Sequence, residues 1–328
     1  MKPLKEEKIR PNEIFKSYLN LSIKDTNLFF RNKKKITFKC PACGNKGKKI
    51  FSKLIFDYEV CNDCSSLYHS PRYEEKNFKL FYKNGKSVKY WSTNFYKKTS
   101  KSRIKFLWIP KIKLIKKIIK NKNIKITNLI DIGSGYGDFL NLAKKKICSN
   151  TIAIEPSKNF NKIYIQNKHK IINKNIEDIK SKDLPNNNSK LFTSFELFEH
   201  VYDPNKFVKK IYKIMKKGDI FILSTLSGTG LDICALGKNS KSINPPHHIN
   251  FLNPQSMNIL FKKHKFKVID VFTPGKLDID IMVNNIDKIK DLFWKKFIIK
   301  TTKQEKNKMQ KFLQNNNLSS HMWIVCQK

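Results

Sequence analysis

The chain of 328 residues has no apolar run approaching the roughly 18 residues of a membrane span. Its opening stretch, MKPLKEEKIRPNEIF, carries acids and lysines where a secretory signal needs an apolar core. A cytoplasmic setting with reduced thiols is therefore expected. Acidic residues are also scarce: 26 Asp and Glu face 67 Lys and Arg, a formal charge of +41. Yet there is no Arg-rich stripe. The excess is mostly Lys, spread among Asn and Ile in runs such as KNKNIKI and LQNNNLSS, which reads as a solvated surface that governs solubility and steering. Residues 1–128 hold 33 basic against 9 acidic residues and residues 129–328 hold 34 against 17, so only the front third is left as a candidate nucleic-acid surface. With 40% apolar side chains, disorder of the whole chain is excluded.

Disulfides are not needed either, since a chain of this length buries a core large enough without them, and seven cysteines want another explanation. Four stand in two pairs, Cys40-Pro-Ala-Cys43 and Cys61-Asn-Asp-Cys64, separated by 17 residues. That spacing matches a closed, structural Zn2+ site of four thiolates. Gly44 can take the positive φ that a metal-binding turn needs, and the intervening KGKKIFSKLIFDYEV can form a hairpin that brings the second turn opposite the first. Neither pair sits at a strand-to-helix junction, where a redox thiol would be activated. Cys148, Cys234 and Cys326 are expected as small core side chains.

Texture divides the chain into an N-terminal extension (1–35), a zinc-ribbon-like module (36–72), an aromatic and basic helical bridge or lid (73–123) and a strand-helix alternation (124–328). In the bridge, Pro110 marks an expected helix start, with Ile112, Ile115, Ile118 and Ile119 on one face and the lysines wet. From Ile124 onward, apolar segments such as NLIDI, TIAIE, KLFTSFEL and DIFILSTL alternate with amphipathic helical ones. This predicts an α/β fold with a parallel sheet covered on both faces, which binds ligands at the carboxyl ends of its strands.

At the first such end stands Asp131-Ile-Gly133-Ser134-Gly135-Tyr-Gly137-Asp138. The dinucleotide fingerprint would need glycine at Asp138, and no Gly-Lys-Ser/Thr follows for a phosphate loop. An acid two residues before a G-x-G-x-G loop suits instead a ligand with a cationic amino-acid end. Glu155 ends the next strand, where a carboxylate can accept both ribose hydroxyls. Glu177 and Asp178 close the following segment, where the chain could cover an adenine.

These residues, with Glu196-Leu-Phe-Glu199-His200-Val201 after a later strand, resemble the class I S-adenosylmethionine-dependent methyltransferases over about 124–328. The resemblance implies a Rossmann-like sheet of seven strands, the last antiparallel and supplied by His321 to Gln327. It implies S-adenosyl-L-methionine as cofactor, with Gly133 and Gly135 lining the methionine moiety, Glu155 on the ribose and Glu196 beneath the cofactor; Asp131, Ser134, Gly137, Glu177 and Asp178 are the further cofactor-binding candidates. A narrower resemblance, resting on the cysteine pairs, Ser70-Pro71-Arg72, Pro245-Pro246-His247-His248-Ile249-Asn250-Phe251 and Thr273-Pro274-Gly275-Lys276-Leu277-Asp278, is to bacterial zinc-module methyltransferases related to sugar and secondary-metabolite enzymes. By that likeness His248 takes the place of a proton-removing histidine and His247 replaces a glutamate. A methyl transfer to a hydroxyl or activated carbon of a small, sugar-like or nucleotide-linked acceptor is expected, with His248, His247 and Glu196 as catalytic candidates. The alternatives are an RNA methyltransferase that clamps RNA with its zinc module and basic front, and a non-catalytic zinc-bearing scaffold.

Overall fold

The computed structural model describes residues 4–121, 123–186 and 189–328. Its frame is one seven-stranded sheet in the order Lys267–Phe272, His321–Gln327, Ile220–Leu226, Lys190–Phe195, Asn128–Ile132, Thr151–Ile154, Lys170–Ile172. The five strands from Ile220–Leu226 to Lys170–Ile172 pair in parallel. His321–Gln327 is antiparallel to both of its neighbours. The expected Rossmann-like sheet with a reversed last strand is therefore present. Asn128–Ile132, Lys190–Phe195 and Ile220–Leu226 are buried at every position, as expected for parallel strands covered on both faces. Two apolar layers flank the sheet, one containing Phe192, Phe207, Ile211 and Phe261, the other Ile115, Phe139, Leu140 and Trp323.

The cysteine module folds as two matching turns facing each other. Gly44 N–H donates to Cys40 O at 3.0 Å and Ser65 N–H to Cys61 O at 3.1 Å, and the residue after each pair has positive φ, +84° at Gly44 and +55° at Ser65. The predicted hairpin is formed by Gly47–Lys53 and Phe56–Cys61. The module is not a free appendage: its sheet continues through Leu67–His69 into Asn250–Phe251 of the larger unit.

Arg72 locks this junction. Fully buried, it stacks on Phe38 at 3.7 Å and donates to the carbonyls of Tyr202, His69 and Ile249 and to Asn250 Oδ1. The Ser-Pro-Arg and Pro-Pro-His-His-Ile-Asn-Phe segments thus meet as a structural joint. Arg72→Met is expected to leave several buried acceptors dry, at about 1–3 kcal/mol each; urea unfolding with an unchanged midpoint would contradict this.

The bridge differs from expectation at Pro110. Lys86 to Asn121 is one unbroken helical run with π turns at Trp91–Phe95 and Ile104–Trp108. Pro110 lies inside it, because the wider turn just before it accommodates a residue without an amide hydrogen. Ile112 and Ile115 are buried as predicted. Lys111 is buried too, which overturns the expectation of a wet lysine face at that position. Among the single cysteines, Cys326 is core, while Cys148 is half-buried and Cys234 exposed, so the core reading fails for the last.

Candidate active site and metal centre

The glycine loop turns from strand Asn128–Ile132 into helix Asp138–Lys146, with Gly133, Gly135 and Gly137 at φ +72°, +52° and +79°. Side chains are barred sterically as well. A Cβ on Gly133 would sit 2.9 Å from Leu197 Cδ2, and one on Gly137 3.0 Å from Tyr164 Cε1. Glu155 braces the loop: Oε2 accepts from Gly135 N–H and Oε1 from Ser157 N–H, both at 3.0 Å. Burial raises its pKa, and those two amides oppose the rise. Ser134 Oγ donates to Asp131 O at 2.8 Å, and Asp131 accepts from Thr193 Oγ1 at 2.7 Å. Burial pushes the Asp131 carboxyl up to about 7. Over the loop lies the bridge, with Tyr96 stacked on Tyr136 at 6.0 Å and facing Gly135.

Between loop and bridge is a narrow cleft of about 20 Å³, bordered by Tyr96, Arg103, Trp108, Asp131, Asp138 and Glu196 among others. Three polar atoms around it are buried with no partner among the described residues: Arg103 Nε, Trp108 Nε1 and Asp138 Oδ2. Next to it opens a cavity of about 350 Å³ whose wall includes the same Arg103, Trp108 and Glu196. Aromatic and aliphatic side chains dominate that cavity, including Phe106, Leu114, Leu277 and Trp323, with Arg10 and Lys276 as charged contributions. The Pro274 to Asp278 segment forms one side of it. Asp278 ties that segment to the last strand by accepting from Ser320 N–H at 2.7 Å and Ser319 Oγ at 2.5 Å.

Glu196 stands at the seam between cleft and cavity. Its backbone is left-handed, at φ +56°, a strained conformation of the sort that concentrates at functional sites. Oε1 accepts from Lys111 Nζ at 2.7 Å, His321 Nε2 at 2.8 Å and Ser224 Oγ at 3.0 Å. Burial alone would raise its pKa, but the Lys111 charge first, and then the His321 ring that donates to it, hold it well below the carboxylate range. Lys111 is caged by Phe195, Trp108 and Trp323 rings at 4.7 to 5.7 Å. An ionised Glu196 can only accept, so His321 carries a proton on Nε2, and in the neutral ring Nδ1 is then the lone-pair nitrogen.

His321, Lys111, Arg103 and Trp108 were not singled out as site residues in the sequence. Lys111 had a signal: it lies three residues after Trp108 and four before Ile115, on the apolar stripe of its helix, where a cation needs a buried partner.

The two adjacent histidines are placed differently from expectation. His247 is buried and its Nε2 bonds Ser87 Oγ at 2.8 Å, while Ser87 is held in turn by Asp25; Tyr18 and Phe81 pack on its ring. It lines neither cleft nor cavity. His248 Nδ1 donates to Ser242 O at 2.6 Å, and it is Ser242, not His248, that belongs to the cavity wall. Glu177 and Asp178 are exposed on a short helical turn, away from the cleft. Glu199, by contrast, is buried beside Glu196; burial first, and the Glu196 charge second, push its pKa up to about 8.

The four cysteines of the module do converge. Cys40 and Cys64 sulfurs are 3.4 Å apart, as are those of Cys43 and Cys61, and all four Sγ lie within 4.8 Å of one another. Four thiolates at about 2.3 Å from a tetrahedral zinc ion are about 3.8 Å from each other, so this donor set fits the ion.

Residues 92–271, more than half the chain, match a family described as a methyltransferase domain. No protein of curated function matches. Among solved structures, a methyltransferase from Thermotoga maritima, described as a possible histamine N-methyltransferase, is 17% identical with a TM-score of 0.47, over 76% of this chain and 99% of its own. An S-adenosylmethionine-dependent methyltransferase from Clostridium acetobutylicum is 12% identical with a TM-score of 0.47, over 71% and 99%. One from Archaeoglobus fulgidus is 16% identical with a TM-score of 0.42, over 66% and 94%. With a family match that covers more than half of the chain and contains the glycine loop, the chain belongs to the methyltransferase-domain family.

Proposed function

We propose that this methyltransferase transfers a methyl group from S-adenosyl-L-methionine to a hydroxyl or activated carbon of a small, anionic, nucleotide-linked or sugar-like acceptor, and that Cys40, Cys43, Cys61 and Cys64 hold a structural Zn2+ ion. The observation that carries the reading is the seam: a glycine-loop cleft and a small-molecule cavity share Arg103, Trp108 and Glu196. The unpartnered atoms fit the cofactor. Arg103 would take the methionine carboxylate, and Asp138 with Asp131 would face its ammonium group. Glu155 would turn to the ribose. The cleft has room for about one water, so the cofactor requires Tyr96 and Arg103 to move off the loop.

When bound, the cofactor supplies a sulfonium methyl that is displaced in line. This chain's own contribution is alignment and proton removal. Glu196 holds the His321 imidazole with Nδ1 free to accept the acceptor's proton, and Lys111 keeps Glu196 ionised while that happens. His321 thereby takes the base role expected of His248. The apolar walls exclude water, and Arg10 and Lys276 would meet an anionic handle on the acceptor.

A volume of about 350 Å³ is that of a small-molecule site, which favours this reading over RNA. Incubating the protein with methyl-labelled cofactor and fractionated cell extract should put the label in the small-molecule fraction. Label confined to RNA would overturn the acceptor class.

A further inference from the structure

Glu199, His200 and His248 make up a second cluster, distinct from the thiolates. One candidate ligand atom from each lies within 4.8 Å of the other two. The sequence joins them by topology: Glu199 and His200 follow strand Lys190–Phe195, while His248 follows strand Ile220–Leu226 on the loop braced by the cysteine module. Their rings meet edge to face at 4.7 Å.

Each imidazole has one nitrogen engaged by an oxygen and can offer the other to an ion. His248 Nδ1 faces the Ser242 carbonyl at 2.6 Å, and a carbonyl only accepts, so Nδ1 carries the proton and Nε2 keeps its lone pair. Tyr82 donates its hydroxyl proton to His247 O at 3.2 Å, and His200 Nδ1 lies 3.2 Å from the same hydroxyl oxygen. With the Tyr82 proton on that carbonyl, His200 donates from Nδ1 and keeps a lone pair on Nε2. Among the described residues no hydrogen bond engages either Nε2. A histidine whose other nitrogen donates to an oxygen is oriented as metal-ligating histidines are.

Glu199 supplies the oxygen ligand. Its side chain is buried, and Thr225 Oγ1 donates to its Oε2 at 2.8 Å. No Lys or Arg side chain of the described residues forms an ion pair with it; Lys111 contacts Glu196 instead.

We propose that Glu199, His200 and His248 bind a divalent transition-metal ion. Two imidazoles and one carboxylate suit Zn2+, Fe2+, Co2+ or Ni2+ better than Mg2+ or Ca2+, which prefer oxygen alone. Three protein ligands leave coordination positions open. Leu226 and Ser242, neighbours of the Thr225 and His248 contacts, line the 350 Å³ cavity, so the ion lies just behind its wall. The site does not depend on the methyl-transfer reading.

The test is a cobalt titration of the full chain already loaded with zinc at its cysteines. One further equivalent of Co2+ should bind, with a visible d–d spectrum that lacks a thiolate charge-transfer band. His200→Ala and Glu199→Gln should each weaken it by about tenfold or more while keeping the zinc and the melting temperature; His200→Asn replaces the first if that variant unfolds. The proposal is overturned if the zinc-loaded wild type takes up no cobalt, if the spectrum carries the thiolate band, or if the variants bind as the wild type does.

Discussion

Replacing Cys40 and Cys64 with serine in the full chain is expected to release zinc and destabilise far more than the cysteine module alone. Zinc binding at four thiolates is worth about 10–16 kcal/mol in small zinc peptides, and that binding energy is folding energy. Here it has a route outward. The module's sheet ends on Asn250–Phe251, Asn253 Nδ2 donates to Cys64 O at 2.7 Å, and Tyr58 donates its hydroxyl to His248 O at 2.8 Å. Arg72 crosses the same junction. Loss of the ion should therefore loosen the loop of His247 and His248 and reduce turnover, although no cysteine lines the cavity. Metal analysis of the purified wild type below about half an equivalent of zinc, or an unfolding curve unchanged by chelation, would contradict this.

His321→Ala should lower turnover by about 10²–10⁴-fold, the usual loss when a general base is removed, with cofactor affinity little changed. Glu196→Gln should fall in the same range for a different reason. A neutral amide no longer fixes the proton of His321 on Nε2, and it leaves the buried Lys111 charge without its partner. Because that second effect also costs stability, the melting temperature of Glu196→Gln should drop while that of His321→Ala, a half-buried residue, moves less. Wild-type turnover in His321→Ala would remove it from the base role.

Much of this was legible in the sequence because it is local. The two cysteine turns each close within five residues, and the glycine loop is set by positive φ at positions that only glycine fills easily. Strand patterning also carried through, since fully buried parallel strands read as unbroken apolar runs. What escaped depends on pairing across the fold. His321 opens an antiparallel strand, and its register partner is Leu226, so its side chain arrives at the same edge as the carboxyl ends of the parallel strands, 125 residues from Glu196. Nothing near position 321 announces this. The cover on His247 is equally remote in sequence: the long helix Asn12–Phe30 and the bridge enclose it with Tyr18, Phe81 and Ser87.

The central claim is that the glycine-loop cleft opens to take S-adenosyl-L-methionine, with Arg103 on its carboxylate. Calorimetric titration of the full zinc-loaded chain tests it most directly. One saturable site per chain is expected, weakened by about tenfold in Arg103→Met, the cost of roughly 1.4 kcal/mol from one charge-assisted hydrogen bond. A wild-type chain that is folded and zinc-loaded yet shows no saturable binding would contradict it.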